Sequence, residues 1–165
     1  MKYFCTNCDA EASRVTANYR FTESGLNNFV LKNISVIKCD SCGNVDPVIS
    51  RPKEIAREMA KAIVKKPFAL TGEEIRFLRK YLGMSQETFA SHLHSDKAVL
   101  SRWENDREPV GSKSDLLIRT IAVILGEGLE GQRQEVVKSF PKIEEEARKV
   151  RWELDPVGLK VGLVV

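Results

Sequence analysis

Four cysteines occur in the chain, and they form two pairs: Cys5-Thr6-Asn7-Cys8 and Cys39-Asp40-Ser41-Cys42. No other feature limits the possible folds as strongly. Two intervening residues let both thiolates of a pair reach one ion from a single tight turn. Two such turns complete a tetrahedral sulfur shell, which suits zinc. The 30 residues between Cys8 and Cys39 leave room for a hairpin or two. The competing reading is a pair of disulfides or redox dithiols, since one C-x-x-C alone would serve that chemistry equally well. Asp9 and Gly43, one after each pair, favour the metal. The expectation is one structural zinc per chain on Cys5, Cys8, Cys39 and Cys42. A closed four-sulfur shell leaves no open position for catalysis.

A chain of 165 residues makes one large domain or two small ones. Its opening residues, Met1 to Cys5, carry no apolar signal core. The longest apolar stretch, Leu116 to Leu125, is interrupted by Arg119 and is too short to span a bilayer. These features predict a cytoplasmic protein without a membrane partner, where cysteines serve better as metal ligands than as disulfides. Net charge is +3, a weak pull toward anions. Residues 1–66 carry 11 basic and 7 acidic groups, residues 67–125 carry 8 and 8, and residues 126–165 carry 7 and 8. No part is a polybasic tail, so a nucleic acid would have to be held by placed contacts rather than bulk attraction.

The expected fold class is α+β. Residues 1–50 read as a small four-cysteine zinc β-module, with strands within 13–21 and 29–38 and turn chemistry from Glu23 to Asn28. Pro47 and Pro52 mark its exit. Residues 51–67 read as a linker helix whose apolar face is Ile55, Met59, Ala62 and Ile63. Membership of the next domain's core is the alternative for that helix. Residues 68–126 read as an all-α domain of short helices. Capping boxes are expected at Thr71–Glu74 and Ser112–Asp115, and caps at Ser85 and Ser95. Residues 127–165 form a C-terminal extension, with a break at Phe140-Pro141 and a solvated face at Glu144–Glu146. Val150, Trp152 and Leu154 alternate, as do Leu159, Val161 and Leu163, around Asp155-Pro156-Val157-Gly158. That pattern predicts a β-hairpin, too small to stand alone, packed on its own body, a second copy or a partner.

The segment from Gln86 to Asn105 resembles the helix-turn-helix of phage-repressor and Xre-type regulators. Ala90 supplies the small residue where two steeply crossed helices meet, and Phe89, Leu93, Leu100 and Trp103 fill their shared core. The likeness covers residues 71–125 and is carried most clearly by Leu78-Arg79 with Gln86, and by Trp103-Glu104-Asn105. His94 stands where the turn usually has glycine; a positive φ there would carry a cost for histidine. The resemblance implies that the helix from Asp96 to Asn105 enters the major groove of duplex DNA. Its outward face offers Lys97, Ala98, Ser101 and Arg102. Arg102 is the first candidate to read guanine through O6 and N7, Lys97 the second, and Ala98 could meet a thymine methyl. Gln86 is expected to grip a phosphate, with Ser112 and Lys113 as weaker phosphate contacts. A surface ion pair with a nearby glutamate is the alternative role for Arg102. His92 and His94 have no ligand partners in sequence, and no nucleophile–base pair or paired carboxylates are marked, so no enzymatic activity is expected.

Taken together, the four-cysteine module, the linker and the helical domain resemble the MqsA (YgiT) family of antitoxins. The matching residues are Cys5, Cys8, Cys39 and Cys42, the strand-like Val30 to Lys38, and Ser101-Arg102-Trp103-Glu104. The resemblance covers about residues 1–125. It implies structural zinc, DNA binding as a homodimer on a palindromic operator, and a toxin partner held by the zinc module. The family's base-reading asparagine falls at Ala98, so the operator should differ, and residues 126–165 have no counterpart. A stand-alone zinc-containing regulator, a dithiol redox protein and an adaptor for protein or RNA are the other readings.

Overall fold

The computed structural model describes residues 2–139, 144–148 and 150–164, and it is a mixed α/β structure. Strands β1 (Tyr3–Phe4), β2 (Glu11–Arg20), β3 (Phe29–Lys38) and β4 (Val45–Pro47) come first. Helix α1 (Pro52–Lys65), the short strand β5 (Phe68–Ala69) and helices α2 (Gly72–Tyr81), α3 (Gln86–His92), α4 (Lys97–Glu104) and α5 (Ser112–Leu125) follow. The chain then runs through α6 (Arg133–Ser139), β6 (Glu144–Ala147), β7 (Arg151–Asp155) and β8 (Lys160–Val164). The break expected at Phe140-Pro141 lies outside the described residues. The backbone of the acidic run is strand β6, paired in parallel with β5.

β3 shows how the sequence builds the sheet. Phe29 and Leu31 face the core with strand alternation, and so do Ile34 and Val36, one residue out of phase. Asn33, at φ 52°, absorbs the extra residue, and its N–H donates to Asn18 Oδ1 at 3.1 Å. The pairing of β2 with β3 shifts at the same level, between Ala17 and Tyr19. This bulge lets one strand bury four large side chains on one face.

The C-terminal hairpin joins the same sheet. β7 pairs in parallel with the first half of β3, placing Phe29 opposite Trp152 and Leu31 opposite Leu154. The Phe29 and Trp152 rings stack with centroids 5.8 Å apart. Of the three expected packing partners, the hairpin uses the chain's own body. Antiparallel β8 then closes that side of the sheet, giving the order β1-β2-β3-β7-β8 with β4 on the other half of β3.

One apolar cluster runs from the sheet through α1 to α5 and on to Val136 of α6. Residues 51–67, read from sequence as a linker, contribute Ile55, Met59, Ala60, Ile63 and Val64 to it. The end of α1 is held by a buried charge network. Arg119 of α5 is fully buried and donates to the carbonyls of Val64 (3.1 Å), Lys66 (2.7 Å) and Phe68 (2.7 Å). Those carbonyls lie at and just past a helix C-terminus, where carbonyls lack helical partners. Asp115 neutralises the guanidinium at 2.5 Å and accepts the Leu70 N–H at 2.6 Å. Beside it the buried Lys66 ammonium meets the buried Glu74 carboxylate. Burial pushes the Glu74 carboxyl up, while the Lys66 ammonium and the Thr71 N–H pull it back down.

Capping follows the sequence in part. Thr71 and Glu74 form the expected reciprocal capping box, and Ser85 Oγ accepts the Thr88 N–H at 3.1 Å. The cap expected at Ser95 falls on Asp96, whose side chain makes no cap bond. The box expected at Ser112–Asp115 does not form, because the Asp115 carboxylate is turned inward to Arg119 and Leu70. Helices α2, α3 and α4 all close the same way. A residue at positive φ (Gly83, His94, Asp106) is followed by an N–H that reaches back to the last turn, at Arg79, Ala90 and Arg102 respectively.

Two substitutions test this packing. Arg119→Met keeps bulk but leaves the Asp115 carboxylate buried without its cation, so urea unfolding should show a loss of ~3–5 kcal/mol. At Gly72 an added Cβ would stand 2.4 Å from the Trp103 carbonyl oxygen. Gly72→Ala should therefore force α2 off α4 and lose ~1–3 kcal/mol. An unchanged urea midpoint for either variant would contradict the packing described.

Candidate functional site

The two cysteine pairs form matched turns. In the first, the Cys5 N–H donates to Ala10 and the Asp9 N–H to Cys5; in the second, the Cys39 N–H donates to Asn44 and the Gly43 N–H to Cys39. Asp9 (φ 56°) and Gly43 (φ 76°) take the same left-handed position, one residue after each pair. The strands bring these turns face to face. Cys5 Sγ lies 3.5 Å from Cys42 Sγ and Cys8 Sγ lies 3.6 Å from Cys39 Sγ. All four sulfurs fall within 4.8 Å of one another.

The S···S distances are far beyond a disulfide's ~2.05 Å bond. They fit the edges of a tetrahedron with metal–sulfur bonds of ~2.3 Å. Four sulfurs in that arrangement could hold a metal ion. Among the described residues it is the one group of three or more ligating side chains with that closeness. Asp46 ties the turns together, accepting from Thr6 Oγ1 at 2.8 Å and from Asn44 Nδ2 at 3.0 Å. Cys5 and Cys39 are buried with Ala12 in a satellite cluster of their own, apart from the main core.

The second region is the outward face of α4. Lys97, Ala98 and Arg102 are exposed there and Ser101 is half-buried, while Leu100 and Trp103 face inward. Lys97, at 55% side-chain exposure, pairs with Glu87 of α3. Arg102, at 47%, pairs through Nε with Glu108 at 2.8 Å. The alternative considered for Arg102, an ion pair with a nearby glutamate, is thus the arrangement in the free chain. Lys97 holds the Glu87 carboxyl below its ordinary range through their hydrogen bond. Lys113 is exposed at the start of α5.

Gln86 is half-buried, and its Nε2 donates to Glu104 at 2.8 Å. That carboxylate is the hub behind α4. It is fully buried and takes Arg79 in a two-pronged contact at 2.6 and 3.0 Å. Of the residues that carried the likeness in sequence, Arg79 and Gln86 therefore both bond to Glu104. Their shared bonds fix α2, α3 and α4 as one unit. His92 Nδ1 sits 2.8 Å from the Thr88 carbonyl and belongs to no ligand group among the described residues.

Sequence reasoning missed the Arg119, Asp115, Lys66 and Glu74 network. The available signal was Asp115 four residues before an arginine inside an apolar helix.

No protein-family model matches the chain, and neither a curated protein nor a solved structure matches it.

Metal removal should act locally, because the cysteines pack outside the main core. Chelation should release one equivalent of metal and abolish amide protection within residues 3–12 and 38–47. The exchange of α2 to α5 should change little, and global unfolding on chelation would contradict this separation.

Proposed function

We propose that the chain is a sequence-specific DNA-binding repressor. It acts in the cytoplasm as a homodimer on a palindromic operator, with one structural zinc in the cysteine module. In the fuller form of this reading it is the antitoxin of a type II toxin–antitoxin pair and represses its own operon.

The observation that carries the reading is the exposed face of α4. A short helix presents Lys97, Ala98, Ser101 and Arg102 outward, and the buried Arg79–Glu104–Gln86 contacts lock its other side. Such a surface suits a duplex groove because the helix that carries it is held in place before DNA arrives. The helical segment carries balanced charge, so affinity must come from these positions rather than from a general field. Zinc is the preferred ion because four thiolates at tetrahedral spacing match its coordination and leave no catalytic position.

A stand-alone regulator is the second reading, favoured by the C-terminal strands. They have no counterpart in the antitoxin likeness, yet β7 pairs along β3 of the cysteine module, where that likeness implies the toxin to be held.

The test is selection of duplexes from a random library by the metal-loaded chain. Arg102→Ala should then lose ~1–3 kcal/mol at a single base position and relax specificity there. Uniform loss on every sequence would make Arg102 a phosphate contact instead. No binding to any duplex at low salt would overturn the reading.

A further inference from the structure

Two ion pairs bracket the outward face of α4. At its first residue, Lys97 is held by Glu87, which belongs to α3. Near its last turn, Arg102 is held by Glu108, from the loop that follows α4. Both acids are exposed, at 63% and 47%, and neither forms part of the core. The contrast with Arg79 and Glu104 is direct. That pair has a carboxylate with no exposure and serves packing. The outer pairs lie in solvent, where an ion pair is cheap to open.

Resting on the DNA-binding reading above, we propose that Glu87 and Glu108 hold DNA affinity down by competing with DNA for Lys97 and Arg102. A matching base offers each cation new acceptors in place of its glutamate: guanine O6 and N7 can take both prongs of Arg102. A wrong base offers less, and the cation falls back on its carboxylate. Once released, the carboxylate stands near the phosphates as a like charge, so a complex that opens the pair also carries that repulsion. Balanced charge on the helical segment is then a device rather than a weakness. It lowers affinity for any duplex that must open the pairs, so residence on DNA depends on how well the new acceptors replace the carboxylates.

The experiment uses the full metal-loaded chain and two duplex probes. One is a duplex selected by the wild type from a random library, and the other is unrelated, of equal length and composition. Glu108→Gln should raise affinity for the selected duplex about two- to fivefold and for the unrelated duplex by no more than that. The gain should shrink as salt rises. It should vanish in an Arg102→Ala background, because the acid acts through that arginine. Glu87→Gln should behave the same way and lose its effect with Lys97→Ala.

Absence of any gain on the selected duplex overturns the proposal, and so does a larger gain on the unrelated duplex or a gain that persists without the paired cation. In each of those outcomes the wild type still binds DNA, so the functional reading stands. Failure of the wild type to bind any duplex at low salt removes both.

Discussion

A single buried guanidinium sets the geometry of the helical half. Arg119 gathers the carbonyls at the end of α1 and the Phe68 carbonyl of β5, and Asp115 answers its charge. A buried arginine is tolerable only when its donors are used and its charge is paired, and both conditions hold here. The consequence is that α1, the start of α2 and the middle of α5 cannot move independently. Lys66 and Glu74 add a second buried pair at the same junction. Since α1 also lies in the core shared with β3 and β7, the sheet and the helices become one packed body.

From that anchor the order extends outward to α4. Glu104 receives Arg79 from α2 and Gln86 from α3. Gly72 lets the N-terminus of α2 touch the backbone at the end of α4, where its N–H also meets Asp106 at 2.7 Å. Each of the three helices is stopped by a residue at positive φ, so their lengths are set locally while their angles are set by buried polar contacts. His94 fills the role that glycine would fill at less cost. The exposed face of α4 is thus supported from behind by bonds that do not depend on a ligand.

The cysteine centre was legible from spacing alone, because two C-x-x-C turns have few other uses when Asp9 and Gly43 follow them. The strand from Phe29 to Lys38 was also readable, although Asn33 hid a change of phase that only the pairing with β2 reveals. The role of residues 51–67 was less readable. An amphipathic helix looks the same whether it spans solvent or lies on a core, and its core partners here include Arg119, more than fifty residues away. Sequence proximity likewise gave no hint that Trp152 stacks on Phe29, or that β7 runs parallel to β3. Local rules favour Asp115 as the reciprocal partner in a Ser112–Asp115 capping box. A long-range partner outcompeted the local bond.

The cysteine cluster lies outside the core that supports α4, and the two rest on different chemistry: four clustered thiols at one end and exposed ion pairs at the other. The proposed function requires α4 to be the surface that meets DNA. Amide hydrogen exchange of the metal-loaded chain, with and without a duplex it selects, tests this most directly. Added protection should be confined to α3, α4 and the loop leading to Lys113. Protection that appears on the sheet, with α4 unchanged, would contradict it.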